Sequence, residues 1–305
     1  MCATMNVATK FVSLQKDLSM RKHIYNMVFA LLATTLLLAC GGRSARPEAD
    51  IVVSIEPLKH LINEITENDF SVDVLVPQGA SPETFDPTPR QIISLNKAKM
   101  VFATGLIEFE KSLLKRIENK DIIDLSRGVE LIEGSCSHAG HNHAHHHGVD
   151  PHIWTSPREL MTMAKNAYEA IMEQYPDSVK YTAAFNRLQQ ELEALDNECQ
   201  SAIEASATKA FAIYHPALTY YARAYSLEQI AIESDGKEPS AKHIAQIIEK
   251  ADEKGIKCLL YQSEFPRSVV DVVAKDMGIE PMEINPLASN PLQFIRDVTE
   301  AITKH

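Results

Sequence analysis

The sequence predicts an α/β protein with parallel sheets in two halves, and three features carry that prediction. From Ile51 onward, short β-rich runs ("IVVSI", "VDVLVP", "MVFATG", "DIIDLS") alternate with segments of helical periodicity. That spacing suits βα units, whose strands pair in parallel. A second set, "AFAIYH", "QIAIE", "KCLLYQ" and "PMEIN", repeats the rhythm after residue 207. Between the two sets, residues 176–206 contain no Gly and only one Pro, at the head of the segment, which predicts one long helix.

The N-terminus reads as a processing segment rather than as part of the fold. Met20 to Asn26 supply a cationic start, and Val28 to Ala39 form an apolar core too short to span a bilayer comfortably. It ends in Leu37-Leu38-Ala39-Cys40, which resembles the lipobox of bacterial lipoproteins and implies cleavage before Cys40 and acylation of its thiol. Residues 1–39 are therefore expected to be a lipoprotein-type signal peptide, with Met20 as an alternative start of translation because residues 1–19 fit no signal region, and residues 40–50 a polar tether. Four basic residues and one acid leave with residues 1–39, so the net charge of -11 becomes -14. Such a balance, with no basic stripe, argues against nucleic-acid binding.

Residues 51–175 are expected to form the first lobe. It is interrupted at 138–147 by a run holding His138, His141, His143, His145, His146 and His147. That run has too little apolar content to join a core. The long helix follows over 176–206, about 45 Å at 1.5 Å per residue, with Val179, Phe185, Leu188, Leu192 and Leu195 as its apolar stripe. Amphipathicity alone does not say what the helix joins. Residues 207–305 make the second lobe. Besides Cys40, the exported chain would carry Cys136, Cys199 and Cys258, in no CxxC arrangement.

In open α/β sheets, ligands collect beyond the carboxyl ends of the strands. The polar residues found there are Glu83 and Asp86, Asp150 and His152, His215, Glu264 and Asn285. Two histidines and a carboxylate converging from two lobes would make a first-row metal site. His60 and His243 lie on helical patterns and read as structural. In "SDGKEPS", Asp235, Lys237 and Glu238 read as a turn, with Ser240 as the N-cap of the next helix. Tyr214, Tyr220, Tyr221 and Tyr225 are expected to pack the second lobe beside His215.

The phrases "PQGASPETFDPTPRQ", "DPHIWTSP", "IYHPALTYYARAYSLEQIAIE", "GKEPSAKHI" and "INPL" stand in an order and spacing that give the chain a family resemblance. It is similar to the solute-binding proteins of zinc and manganese ABC importers (the ZnuA-like, periplasmic or lipoprotein type) over nearly all of the exported chain. The resemblance implies two α/β lobes, each a mostly parallel sheet flanked by helices, joined by one long α-helix, with one metal ion in the cleft. His152 and His215 fall on two of the family's ligand positions. This chain departs at two others, with Glu83 where a His is usual and Asn285 where an Asp is usual. The expected ligands are therefore Glu83, His152 and His215, with Glu264 as fourth and the Asn285 carbonyl or a water as the alternative.

The implied cargo is Zn2+, favoured by the histidine run as a weak auxiliary collector, with Mn2+ as the alternative. The implied partner is an ABC permease, and the implied setting is the cell envelope, with a monomer anchored to the membrane through Cys40. A zinc-storing, adhesin-like lipoprotein would carry the same binding residues. A metalloenzyme would need three ligands and an open position, which Glu83, His152 and His215 could supply. With no HExxH or GxSxG motif, a non-catalytic carrier is the expectation.

Overall fold

The computed structural model describes residues 49–114, 117, 122–133, 148–233, 239–265 and 267–304. The expected signal segment with Cys40, the histidine run with Cys136, and Asp235, Lys237 and Glu238 lie outside the described residues. From Ala49 on, the chain is one compact unit.

Two four-stranded sheets form, and every strand pairing in them is parallel. The first contains β1 (Ile51–Val53), β2 (Val72–Val74), β3 (Met100–Ala103) and β4 (Ile123–Asp124), in the order β2-β1-β3-β4. The second contains β5 (Ala210–Ile213), β6 (Glu228–Ala231), β7 (Leu259–Gln262) and β8 (Pro281–Ile284), in the matching order β6-β5-β7-β8. The central strands β1, β3, β5 and β7 are buried at every position, because helices cover both faces of a parallel sheet. This explains why their sequences read as unbroken apolar runs.

The first lobe also holds α1 (Glu56–Thr66), α2 (Pro89–Lys97), α3 (Glu108–Leu114), a 3-10 turn at Ile153–Thr155 and α4 (Pro157–Gln174). The joining helix is α5 (Val179–Ser206). The second lobe adds α6 (Thr219–Ala224), α7 (Ala241–Glu253), α8 (Arg267–Met277) and α9 (Pro291–Thr303). Ser240 caps α7 by accepting the His243 N–H, as expected. His60 sits on α1 and His243 on α7.

Two details of the long helix correct the sequence reading. It starts at Val179, not at Pro176, because Ser178 N–H bonds back to the Tyr175 carbonyl and closes a turn between α4 and α5. Val179 is 82% exposed on the first helical turn and leaves the apolar stripe. Tyr181 and Ala184 take its place ahead of Leu188, Leu192, Leu195, Cys199 and Ile203. Phe185 lies partly buried, stacked on Tyr168 of α4 at 4.2 Å. With 28 residues, α5 is about 42 Å long.

One apolar core runs from the first sheet through α1, α4 and α5 to α9 and the inner face of the second sheet. A smaller one fills the outer face, under α7 and α8. Strand β5 shows the division, with Phe211 and Ile213 entering the large core and Ala210 and Ala212 the small one. The tyrosines divide likewise. Tyr214 packs in the outer core, whereas Tyr220, Tyr221 and Tyr225 belong to the core shared between lobes. Tyr225 Oη donates to Asp196 on α5, and Tyr221 Oη meets Thr299 Oγ1 on α9. Cys199 and Cys258 are buried free thiols. Among the described residues no helix is long and apolar enough to cross a membrane.

Candidate metal centre

The carboxyl ends of the strands in both sheets face one pocket. Glu83 arrives on the loop after β2. Thr88 and Gln91 hold that loop: they form a capping box at the start of α2, and Gln91 Nε2 donates to the Leu75 carbonyl. Within the loop, Glu83 N–H donates to Ser81 Oγ. His152 arrives on the segment after β4, just before the 3-10 turn.

That segment is tied to the second lobe at three points. Trp154 Nε1 donates to the Pro286 carbonyl at 2.8 Å, Thr155 Oγ1 to the Ala217 carbonyl at 3.0 Å, and Tyr220 Oη to the Asp150 carbonyl at 2.8 Å. His215 follows β5. Buried Gln262, at the end of β7, grips its backbone twice: Oε1 accepts the His215 N–H and Nε2 donates to the His215 carbonyl.

At the centre, His215 Nε2 lies 2.9 Å from Glu83 Oε1 and 3.3 Å from His152 Nε2. The ligating atoms of Glu83, His152 and His215 all fall within 4.8 Å of one another. Both histidines are buried, at 6% and 9% exposure, while Glu83 faces the opening. Each imidazole has a carboxylate behind it. Asp150 Oδ1 is 2.9 Å from His152 Nδ1 and also accepts the His152 N–H, and Glu233 Oε1 is 3.0 Å from His215 Nδ1. With both Nδ1–H groups donated to carboxylates, two Nε2 lone pairs and a carboxylate oxygen converge on one point. Three acceptors so placed require a shared proton or a cation. The N2O donor set suits a tetrahedral or slightly larger first-row ion.

The electrostatics follow from the carboxylates. Burial works against the imidazolium of His215, but Glu233 and Glu83 outweigh it and push its pKa up to about 9. For Glu83, burial raises the pKa, yet the hydrogen bond and charge of His215 leave it below the usual value. Asp150 shows the same balance, with burial opposed by His152 and the net shift downward. In the metal-free protein the His215 Nε2–H therefore donates to Glu83.

The other expected donors do not join this cluster. Glu264 lines the same pocket, but its side chain is exposed. The turn after β7 gives the inward position to Phe265 instead. The Phe265 ring stacks on His215 at 5.2 Å and packs against Tyr214. Asn285 is turned away as well, its Oδ1 accepting the Leu287 N–H in a local turn. Asp86 stands off the pocket wall. With a cavity volume of ≈ 20 Å³, the pocket holds an ion and is far too small for an organic ligand.

Sequence reasoning passed over Glu233 and Gln262. The strand-end rule covers both, since Gln262 closes the run "KCLLYQ" and Glu233 closes "QIAIE". What it does not show is register. Ala210 pairs with Glu228 and Ile213 with Ala231, and the Glu233 N–H bonds to the Tyr214 carbonyl. Carried two residues past the strand, the same offset sets Glu233 beside His215.

Residues 51–305 match the family model described as "Zinc-uptake complex component A periplasmic" (ZnuA). The chain is 28% identical over 281 residues to the high-affinity zinc uptake system protein ZnuA of Bacillus subtilis strain 168, covering 85% of this chain and 88% of that protein. It is 25% identical over 279 residues to the zinc-binding lipoprotein AdcA of Streptococcus pneumoniae TIGR4. That match covers 87% of this chain but only 55% of AdcA, so the chain spans about half the length of those relatives. A crystal structure of ZnuA superposes with a TM-score of 0.76 at 29% identity, covering 84% of this chain and 98% of that one. A zinc-bound deletion mutant of ZnuA superposes with a TM-score of 0.75, also at 29% identity, over 83% and 96%.

Proposed function

Because the chain belongs to the ZnuA family of zinc-uptake components, we propose that it captures Zn2+ in the cleft between its lobes and delivers it to an ABC permease on the outer side of the cytoplasmic membrane. The observation that carries this reading is the meeting of Glu83, His152 and His215, each imidazole backed by a buried carboxylate. Zinc-binding relatives of the same fold support the choice of ion. Glu83, His152 and His215 ligate the cargo. Glu264, exposed on the pocket wall, turns in to close the fourth position once the ion is seated. Acylated Cys40 holds the carrier at the membrane.

Capture and release need no catalytic group. Zinc entry displaces the proton that His215 shares with Glu83, so the cluster exchanges one cation for another. The His152 segment is held by three hydrogen bonds to the opposite lobe, and His215 by Gln262. Release is therefore a movement of the exposed Glu83 loop and the Glu264 turn, not a wide opening of the lobes.

The histidine run gathers zinc weakly near the cleft. Its flanks favour that role, since Glu133 and Val149 pair across its base, three residues before His152. Manganese is the second reading, because Glu83 adds an oxygen where an imidazole is usual in this family.

Titration of the metal-free protein with zinc and then manganese, against a competing chelator, tests the proposal. One tight zinc site with weaker ones beside it, and manganese far weaker, is the expected result. Comparable manganese binding would change the cargo, and no tight site for either ion would end the carrier reading.

A further inference from the structure

Glu233 lies behind His215, on the side of the ring away from Nε2, and it is 7% exposed. A strand ladder rather than a loop sets its position: the Ile232 and Glu233 N–H groups bond to the Ile213 and Tyr214 carbonyls, continuing the β5–β6 pairing. The imidazole it touches has the Phe265 ring stacked on one face, and Gln262 holds its backbone at both N–H and carbonyl.

We propose that Glu233 is a specificity-determining residue that acts through His215, setting how strongly the cleft prefers zinc over manganese. The proposal rests on the reading that the cleft takes a divalent metal cargo. A carboxylate that accepts the Nδ1–H fixes the tautomer and raises electron density at Nε2. Zinc gains more from a stronger imidazole donor than manganese does, because manganese favours oxygen ligands. Glu83 offers the same oxygen to both ions. Strengthening the nitrogen therefore widens the gap between them, and weakening it narrows the gap. Asp150 is placed to do the same for His152, but it also accepts that residue's backbone N–H, so its removal would disturb the turn itself. The Glu233 contact with His215 is side chain to side chain, and the His215 backbone is held separately by Gln262.

The test is Glu233→Gln in the full protein, because the amide oxygen can still accept the Nδ1–H while the charge is gone. Zinc and manganese affinities are measured by chelator competition beside the wild type, with circular dichroism to check the fold. Zinc affinity is expected to fall about 10- to 100-fold. Manganese affinity should fall less than about threefold, so that the ratio of the two shrinks. Equal losses for both ions, or no loss for either, would overturn the proposal and leave the carrier reading intact.

A wild type with no tight zinc site would instead remove the carrier reading and this proposal with it. Should the variant not fold, the wild type loaded with Co2+ decides by proton NMR. Two slowly exchanging, hyperfine-shifted N–H signals are expected, one from each carboxylate-bound Nδ1–H. A spectrum showing His215 bound to cobalt through Nδ1 would refute it.

Discussion

His152 Nε2 and His215 Nε2 face each other at 3.3 Å across the cleft, one from each lobe, and neither ring can satisfy the other without a shared cation. Under the proposed ligation, removing either imidazole leaves one nitrogen and two carboxylates, one of which must swing in from solvent. His152→Ala and His215→Ala should each weaken zinc binding by at least about 100-fold, or ~2.7 kcal/mol, as read by chelator competition. Retention of wild-type affinity by either variant would contradict the assigned site.

The raised pKa of His215, about 9 against an ordinary 6.5, fixes the sign of two pH effects. Its protonated form stabilises the metal-free fold. That contribution is fully present below pH 6.5 and fades as pH rises through 9, so the apo protein should melt at lower temperature at pH 9.5 than at pH 6.5. Zinc must displace the same proton, so affinity should rise about tenfold per pH unit up to pH 9. Calorimetry at pH 7 in buffers of different ionisation enthalpy should report about one proton released per zinc. Release of none would mean that His215 is neutral before the ion arrives.

Glu83 and Glu264 should separate cleanly by magnitude. Glu83→Ala removes a donor already 2.9 Å from His215 and should cost zinc affinity about as much as losing an imidazole. Glu264→Ala removes one that must swing in from solvent, and a loss of about tenfold is expected. An unchanged affinity in Glu264→Ala would leave the fourth position to water.

Deleting residues 138–147 should abolish weak zinc binding and spare the tight site. The bridge between Glu133 and Val149 sets the flanks side by side, so a shortened connection can close without pulling on His152. Loss of the tight site in the deletion protein would show that the run supplies a ligand.

Trp154→Phe keeps most of the buried ring but removes the N–H that bonds to the Pro286 carbonyl across the lobes. A cost of ~1–3 kcal/mol is expected from the orphaned acceptor. For a chain of this size that lowers the melting temperature by about 2–10 °C. A melting temperature equal to wild type would mean that this contact contributes nothing to holding the lobes together.

Much of this structure is legible in the sequence because local rules govern it. The eight strands fall on the eight β-rich runs, and Glu83, His152 and His215, which stand among the strand-end polar residues and which the family resemblance singled out, meet in one cluster. The misses arise where neighbours compete. Pro176 suits a helix start, yet the turn from Tyr175 to Ser178 delays the helix to Val179. Glu264 has the right chemistry but its side chain is exposed, while its neighbour Phe265 stacks on His215. Glu233 went unnoticed because its role depends on the offset between β5 and β6, which periodicity along one strand cannot express.

The large core threads both lobes by way of α5, so the two halves share a single block of packed side chains. A shared core couples the two halves, so the free energy of an ion held in the cleft stabilises both of them. A loaded molecule then opens less often, everywhere, than an empty one. A protease should therefore digest the zinc-loaded protein more slowly than the metal-free protein.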